Sequence, residues 1–348
     1  MAEDKNVKKG KFRQSFTLLS MGLASIVLFG MLLCFGAVDI PLSAVITALR
    51  GGNPDSTESI IVLQSRLPMA VAALISGSAL SVSGLLLQTT FRNPLAGPSL
   101  LGVSSGSSLG VALIMLGASS IGLHIASDMW MAITGALIGA GAVIMLLLLF
   151  SSVLKNPVML LIAGVMISYL ASSVISLLNF FAPSEDVKSF VVWGLGTLTA
   201  VRLDTLPLFA LPPLLCIGAS LLLVKPLNAL LLGERYASSM GFSMTRLRTT
   251  LLLLSGLLTA LVTAFCGPIG FIGLIVPHIA RMATATSNHE VLMPATILCG
   301  AAMMLLCALC TVIPSAAGVM PINVVTPIFG VPVILYIILR RHKLNYFN

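Results

Sequence analysis

Only 9% of the 348 residues are charged, 57% are hydrophobic, and mean hydropathy is +1.08. Soluble domains carry about 25% charged residues, so a soluble fold is excluded. The formal charge of +8 therefore reads as a membrane-topology signal and not as a nucleic-acid footprint.

Long uncharged stretches run through 14–38, 67–91, 93–127, 129–154, 156–184, 205–224, 249–280 and 291–339. A bilayer span needs roughly 20 apolar residues, so each can hold a span and several can hold two. The chain reads as all-α, with about ten transmembrane helices near 15–37, 66–91, 99–117, 127–151, 157–181, 204–224, 244–266, 270–286, 291–314 and 322–340. The first run is preceded by Lys8, Lys9, Lys11 and Arg13, as in a secretory signal, but it is too long for one and lacks an obvious cleavage site. Residues 1–348 read as one transmembrane domain, with 1–14 as an N-terminal tail.

Both ends are basic, which by the positive-inside rule places both termini in the cytoplasm and requires an even number of spans. Ten spans then put 15 of the 19 basic residues inside, leaving Arg50, Arg66, Lys188 and Arg202 outside. Seven of the 11 acidic residues fall on the outer side.

Three segments depart from plain membrane helix. In RNPLAGPSLLGVSSG (92–106), prolines end one helix and begin the next, and small residues follow. Those small residues either allow tight helix packing or line a route for a bulky solute. KPLNALLLGERYASSMGFSMTRLR (225–248) is longer than a turn between spans needs, with Gly233 and Gly241 as helix stops. It fits small helices lying against the inner face, resting on lipid or docking a partner. In AFCGPIGFIGLIVPHIARMA (264–283), Gly and Pro break a span, which is tolerated only where protein or a water-filled cavity surrounds the break. His278 here has no neighbouring carboxylate, and packing or capping is the favoured role over ligand or proton carrier. Cys307 and Cys310 form a C-x-x-C inside an apolar run, where helix packing is the favoured reading.

A weak internal echo links Ser83-Gly84-Leu85-Leu86 to Ser255-Gly256-Leu257-Leu258, about half a chain apart. Two five-helix halves of opposite orientation would account for it. No P-loop pattern occurs, and the spans carry essentially no carboxylates of the kind ion-coupled transporters use. Energy is therefore expected from a partner, acting through 225–248. An ion-coupled secondary transporter of a bulky organic solute is the alternative, and a membrane enzyme built on His278 or Cys307/Cys310 is a further one.

RNPLAGPSLLGVSSGSSLG, LIAGVMIS (161–168), WGLGTL (193–198), LLGERYASSMG (231–241), FIGLIVPHIAR (271–281) and PINVVTPIFGVPVIL (321–335) follow one another in this chain. In that order they resemble the FecCD family, permease subunits of type II ABC importers for vitamin B12, haem and ferric siderophores. The resemblance implies a ten-helix, non-enzymatic subunit of the bacterial inner membrane, forming a homodimer or a close heterodimer. Two ATPase subunits would bind beneath it, a periplasmic binding protein would cap it, and lipid would surround it. No cofactor is expected on this chain, since ATP and Mg belong to the partner ATPase.

The resemblance places Leu232, Gly233, Glu234, Arg235, Ala237, Met240 and Gly241 in a coupling segment (225–243) that contacts the ATPase. It places Asn93, Pro94 and Leu95 at a cytoplasmic gate, joined by the turn Asn156-Pro157. Arg66, in an outward Arg-Leu-Pro motif, would receive acidic groups of the binding protein, with Arg50 or Arg202 beside it. Met69 stands where the family pattern has a second basic residue, and an apolar residue near Val312 stands where it has a further arginine.

Overall fold

The computed structural model describes residues 2–36, 38–52, 55–120, 129–154, 156–312 and 319–340, and among them all regular structure is helical. In chain order the helices are α1 (Ala2–Cys34), α2 (Leu42–Leu49), α3 (Thr57–Ile60), α4 (Leu67–Phe91), α5 (Val103–Ser120), α6 (Met129–Val153), α7 (Pro157–Phe181) and α8 (Ser184–Gly194). They continue as α9 (Leu206–Leu221), α10 (Val224–Leu232), α11 (Glu234–Ser239), α12 (Met244–Cys266), α13 (Ile272–Thr284), α14 (His289–Val312) and α15 (Ile322–Arg340). A π-helical turn, Ile61–Arg66, makes α3 and α4 one continuous rod.

Among the described residues, six helical stretches are long and apolar enough to cross a membrane, and α9 with α10, bent by 52°, passes the same test only when the two are taken together. Three shorter apolar helices, Val103–Gly117, Ile272–Thr284 and Ile322–Ile337, occupy the remaining expected spans. The expected boundaries hold to within a few residues except at α1, which is already helical from Ala2. Of the basic residues used to orient the chain, Lys155, Arg341 and Lys343 lie outside the described residues, as does Asp128.

Helix α4 is the axis of the bundle. It is almost fully buried from Pro68 to Phe91, as expected of a largely apolar helix with neighbours all round. Small residues let those neighbours come close: a Cβ on Gly84 would collide with the Gly273 carbonyl of α13.

The packing is reciprocal. Helix α4, the second span, lies against α13 and α14, the eighth and ninth. Helix α12, the seventh span, lies against α5 and α6, the third and fourth. This is the pattern two inverted five-helix halves produce. The sequence echo sits where the halves cross: Ser83 Oγ is 2.7 Å from Ser255 Oγ and 3.0 Å from Thr259 Oγ1, all fully buried.

Candidate coupling and gate site

The segment after α9 folds as two short helices meeting at Gly233, which ends α10 and starts α11 with φ 123° and ψ 152°. That region of backbone space is essentially open to glycine alone. Behind the corner Ala237 is fully buried, while Leu232, Tyr236 and Met240 are exposed. Arg235 and Gly241 are exposed as well. Glu234 is pinned to α12 by Arg248 at 3.0 Å, and the same guanidinium reaches Leu154 O at 3.5 Å, just before the Asn156-Pro157 turn. One arginine thus holds the coupling segment and touches the chain leading to the second expected gate turn.

The first gate turn is joined to the coupling segment directly. Arg92 ends α4 in the left-handed conformation, φ 47° and ψ 33°. Its guanidinium donates to Leu230 O of α10 at 2.9 Å. Asn93 Oδ1 accepts the Leu95 N–H at 3.0 Å, fixing a local turn, and Pro94 O accepts from His278 Nε2 at 2.6 Å. His278, fully buried, therefore packs against and caps the gate turn. Asn156 Oδ1 does for α7 what Asn93 does for its turn, accepting the Val158 N–H at 2.9 Å with Pro157 at the first helical position.

A second bridge runs beside the first. Asn228 Oδ1 of α10 accepts from His289 N at 2.8 Å and from His289 Nδ1 at 2.9 Å. His289 Nε2 lies 3.0 Å from Thr89 Oγ1 in the last turn of α4. A neutral ring that donates through Nδ1 leaves Nε2 to accept the threonine hydroxyl. Asn228, His289 and Thr89 thereby tie α10 to the ends of α14 and α4, one turn from Arg92.

The three arginines expected to dock a partner at the opposite end are in unlike settings. Arg66 is 7% exposed, and its guanidinium donates to Leu33 O at 2.9 Å, to Cys34 O at 2.7 Å and to Val38 O. It caps the C-terminus of α1, where a cation complements the helix dipole, instead of projecting outward as expected. Gly36 makes the room, since a Cβ there would press on the guanidinium. Arg50 and Arg202 are exposed, and Arg202 makes a loose contact to Asp204 at 3.7 Å.

A family model, that of the FecCD transport family, matches residues 23–340. The chain belongs to that family. Among similar proteins, the vitamin B12 import system permease protein BtuC of Shigella flexneri is 35% identical over 82% of this chain and 85% of its own length. The molybdate import system permease protein MolB of Haemophilus influenzae is 36% identical over 84% of this chain and 85% of its own. A solved structure described as an inward-facing conformation of a metal-chelate type ABC transporter superposes with a TM-score of 0.79 at 32% identity, covering 95% of this chain and all of that one. This FecCD permease is thus a multi-pass membrane subunit of an ABC importer, a system that implies ATPase and substrate-binding partners.

Reading the FecCD motifs one by one leaves out the residues that connect them. Arg92 was visible only as the first letter of RNPLAG. Asn228, Thr89 and His289 belong to none of the quoted motifs, and the one signal for Asn228 is an amide in the otherwise apolar run PLNALLL.

Proposed function

We propose that this permease, as one half of a homodimer, moves a metal-bearing organic solute inward across the bacterial inner membrane. The solute class is a ferric siderophore, haem or cobalamin. Two ATPase subunits, carrying ATP and Mg, seat against 225–243, where Leu232, Tyr236 and Met240 offer an apolar surface around Gly233. The basic residues gathered at this end support a cytoplasmic placement for it and for both termini. A periplasmic binding protein docks on the other end, with Arg50 and Arg202 steering its acidic groups; exposed pairs of this kind add little affinity but speed encounter.

The observation that carries the reading is the Arg92 bridge. It makes the carbonyl of the coupling helix and the gate turn Asn93-Pro94-Leu95 parts of one hydrogen-bonded unit, so a push on α10 displaces the turn. Asn156 and Pro157 join that unit through Arg248 and Leu154.

The test uses the permease assembled with its ATPase and its own binding protein in liposomes. ATPase stimulation and uptake are measured for cobalamin, haem, a ferric siderophore and molybdate. Stimulation by one of the first three, unaffected by an uncoupler, is expected. Stimulation by molybdate alone overturns the substrate class, and uptake that an uncoupler abolishes overturns the ATP drive.

A further inference from the structure

At the end of the bundle away from the coupling segment, one side chain gathers two breaks in the backbone. Asn323, in the first turn of α15, donates through Nδ2 to Pro268 O at 2.5 Å and to Gly194 O at 3.4 Å. Its Oδ1 accepts the Gly270 N–H at 3.1 Å. Backbone bonds close the same knot: Asn323 N to Leu195 O and Ile322 N to Gly196 O, each 3.3 Å, and Thr197 N to Cys266 O at 2.8 Å. A carboxamide offers two N–H donors and an acceptor oxygen on one rigid plane, which is what two carbonyls and one N–H from separate segments require. Aspartate of the same size keeps only the acceptor.

The knot holds a strained turn. Phe271 has φ 68° and ψ −37°, and Ile272 N bonds to Gly270 O at 2.8 Å, a three-residue turn of the rare positive-φ kind. Such a backbone is unfavourable for a residue with a Cβ and persists only where its surroundings impose it. Phe271 O then accepts from Leu274 N and Ile275 N, both at 2.9 Å, to start α13. Helix α13 is 13 residues long, a strut of about 20 Å. His278, halfway along it, is bonded to the gate turn at Pro94.

We infer that Asn323 is a positioning residue of the transport cycle: its amide latches the outer end of α13, and through α13 it holds the His278–Pro94 contact that keeps the gate turn in place. The inference rests on the reading of residues 93–95 as a gate. Releasing the latch loosens both ends of one strut, so ATP hydrolysis proceeds without waiting for substrate.

Two readouts separate latch from gate. Cys266, beside the knot and 1% exposed, reports the latch through its rate of modification by N-ethylmaleimide, located by peptide mass spectrometry. Cys299 and Cys307, 6% and 0% exposed in α14, report global loosening. Ligand-free ATPase activity of the assembled transporter reports the gate. Asn323→Ala is expected to speed Cys266 modification about tenfold, the factor that ~1.4 kcal/mol produces, with Cys299 and Cys307 unchanged. Ligand-free ATPase activity should rise several-fold, and Asn323→Asp should fall between. His278→Ala should raise ATPase activity with Cys266 still protected. Unchanged Cys266 labelling in both Asn323 variants, or an equal rise at all three cysteines, overturns the latch. Raised labelling with normal ATPase activity, while His278→Ala raises it, overturns the link from latch to gate. If neither variant alters ATPase activity, the gate reading itself fails and the inference with it.

Discussion

The two ends of this bundle are fastened by different chemistry. At the coupling end, long side chains reach between helices and each grips one or two groups: Arg92 on Leu230 O, Arg248 on Glu234, His289 between Asn228 and Thr89. Several of these are part-exposed and can let go singly. At the other end, Arg66 and Asn323 each grip three backbone groups that lie far from the gripping residue in sequence. The contrast is between separable side-chain contacts at one end and a single polar head shared among several backbone groups at the other.

Breaking the coupling end at its corner should have the largest effect. Gly233→Pro forces φ from 123° toward about −65° and should abolish uptake while the protein still inserts, checked by uptake beside membrane-fraction yield. Glu234→Lys should act in the same direction by repelling Arg248. Normal uptake with the ATPase still bound would remove the coupling assignment. Arg66→Ala comes next and tests the static end: with its three hydrogen bonds removed and, among the described residues, only Cys34 O keeping a partner, the Ile40 N–H, a loss of about 2–3 kcal/mol is expected. It should appear as a lower thermal midpoint in detergent, with binding-protein affinity little changed. A large affinity loss at unchanged stability would restore Arg66 as a docking residue.

Arg92→Ala removes one charge-assisted hydrogen bond, worth about 1.5–3 kcal/mol, and its signature should be kinetic. ATPase activity is retained, whereas uptake per ATP falls about tenfold; equal loss of both would make Arg92 merely structural. The smallest effect belongs to the crossing of the two halves. Ser83→Ala leaves Thr259 Oγ1 donating to Ser255 O and Ser255 Oγ donating to the carbonyl at position 83, and interhelical hydrogen bonds in membranes average about 0.6 kcal/mol. A thermal shift of a degree or two with normal uptake is expected.

Legibility in the sequence followed the range of the interaction. The span α7 was readable to the residue because Asn156 caps it, Pro157 starts it and an uncharged run fills it, all local facts. The 225–248 helices were readable from Pro226, Gly233 and Gly241 for the same reason. The partners of Arg66 were not legible because its motif neighbours say nothing of Leu33, Cys34 and Val38, whose carbonyls take its charge from 28 to 33 residues away. Asn323 looked like one polar letter in PINVVTP, since its partners lie 53 to 129 residues upstream.

By itself the sequence determined the all-helical class, the spans, the expected polarity and the family, because hydropathy, charge and helix-ending residues act within a turn or two of chain. Only the tertiary structure decided which polar groups are spoken for. Away from water a buried donor is costly unless it finds an acceptor, and which one it finds depends on how distant helices cross. That is why the Ser83–Ser255 echo became a contact at the axis, why Arg66 became a cap, and why Arg92 and Asn323 each bond to backbone far from them in sequence.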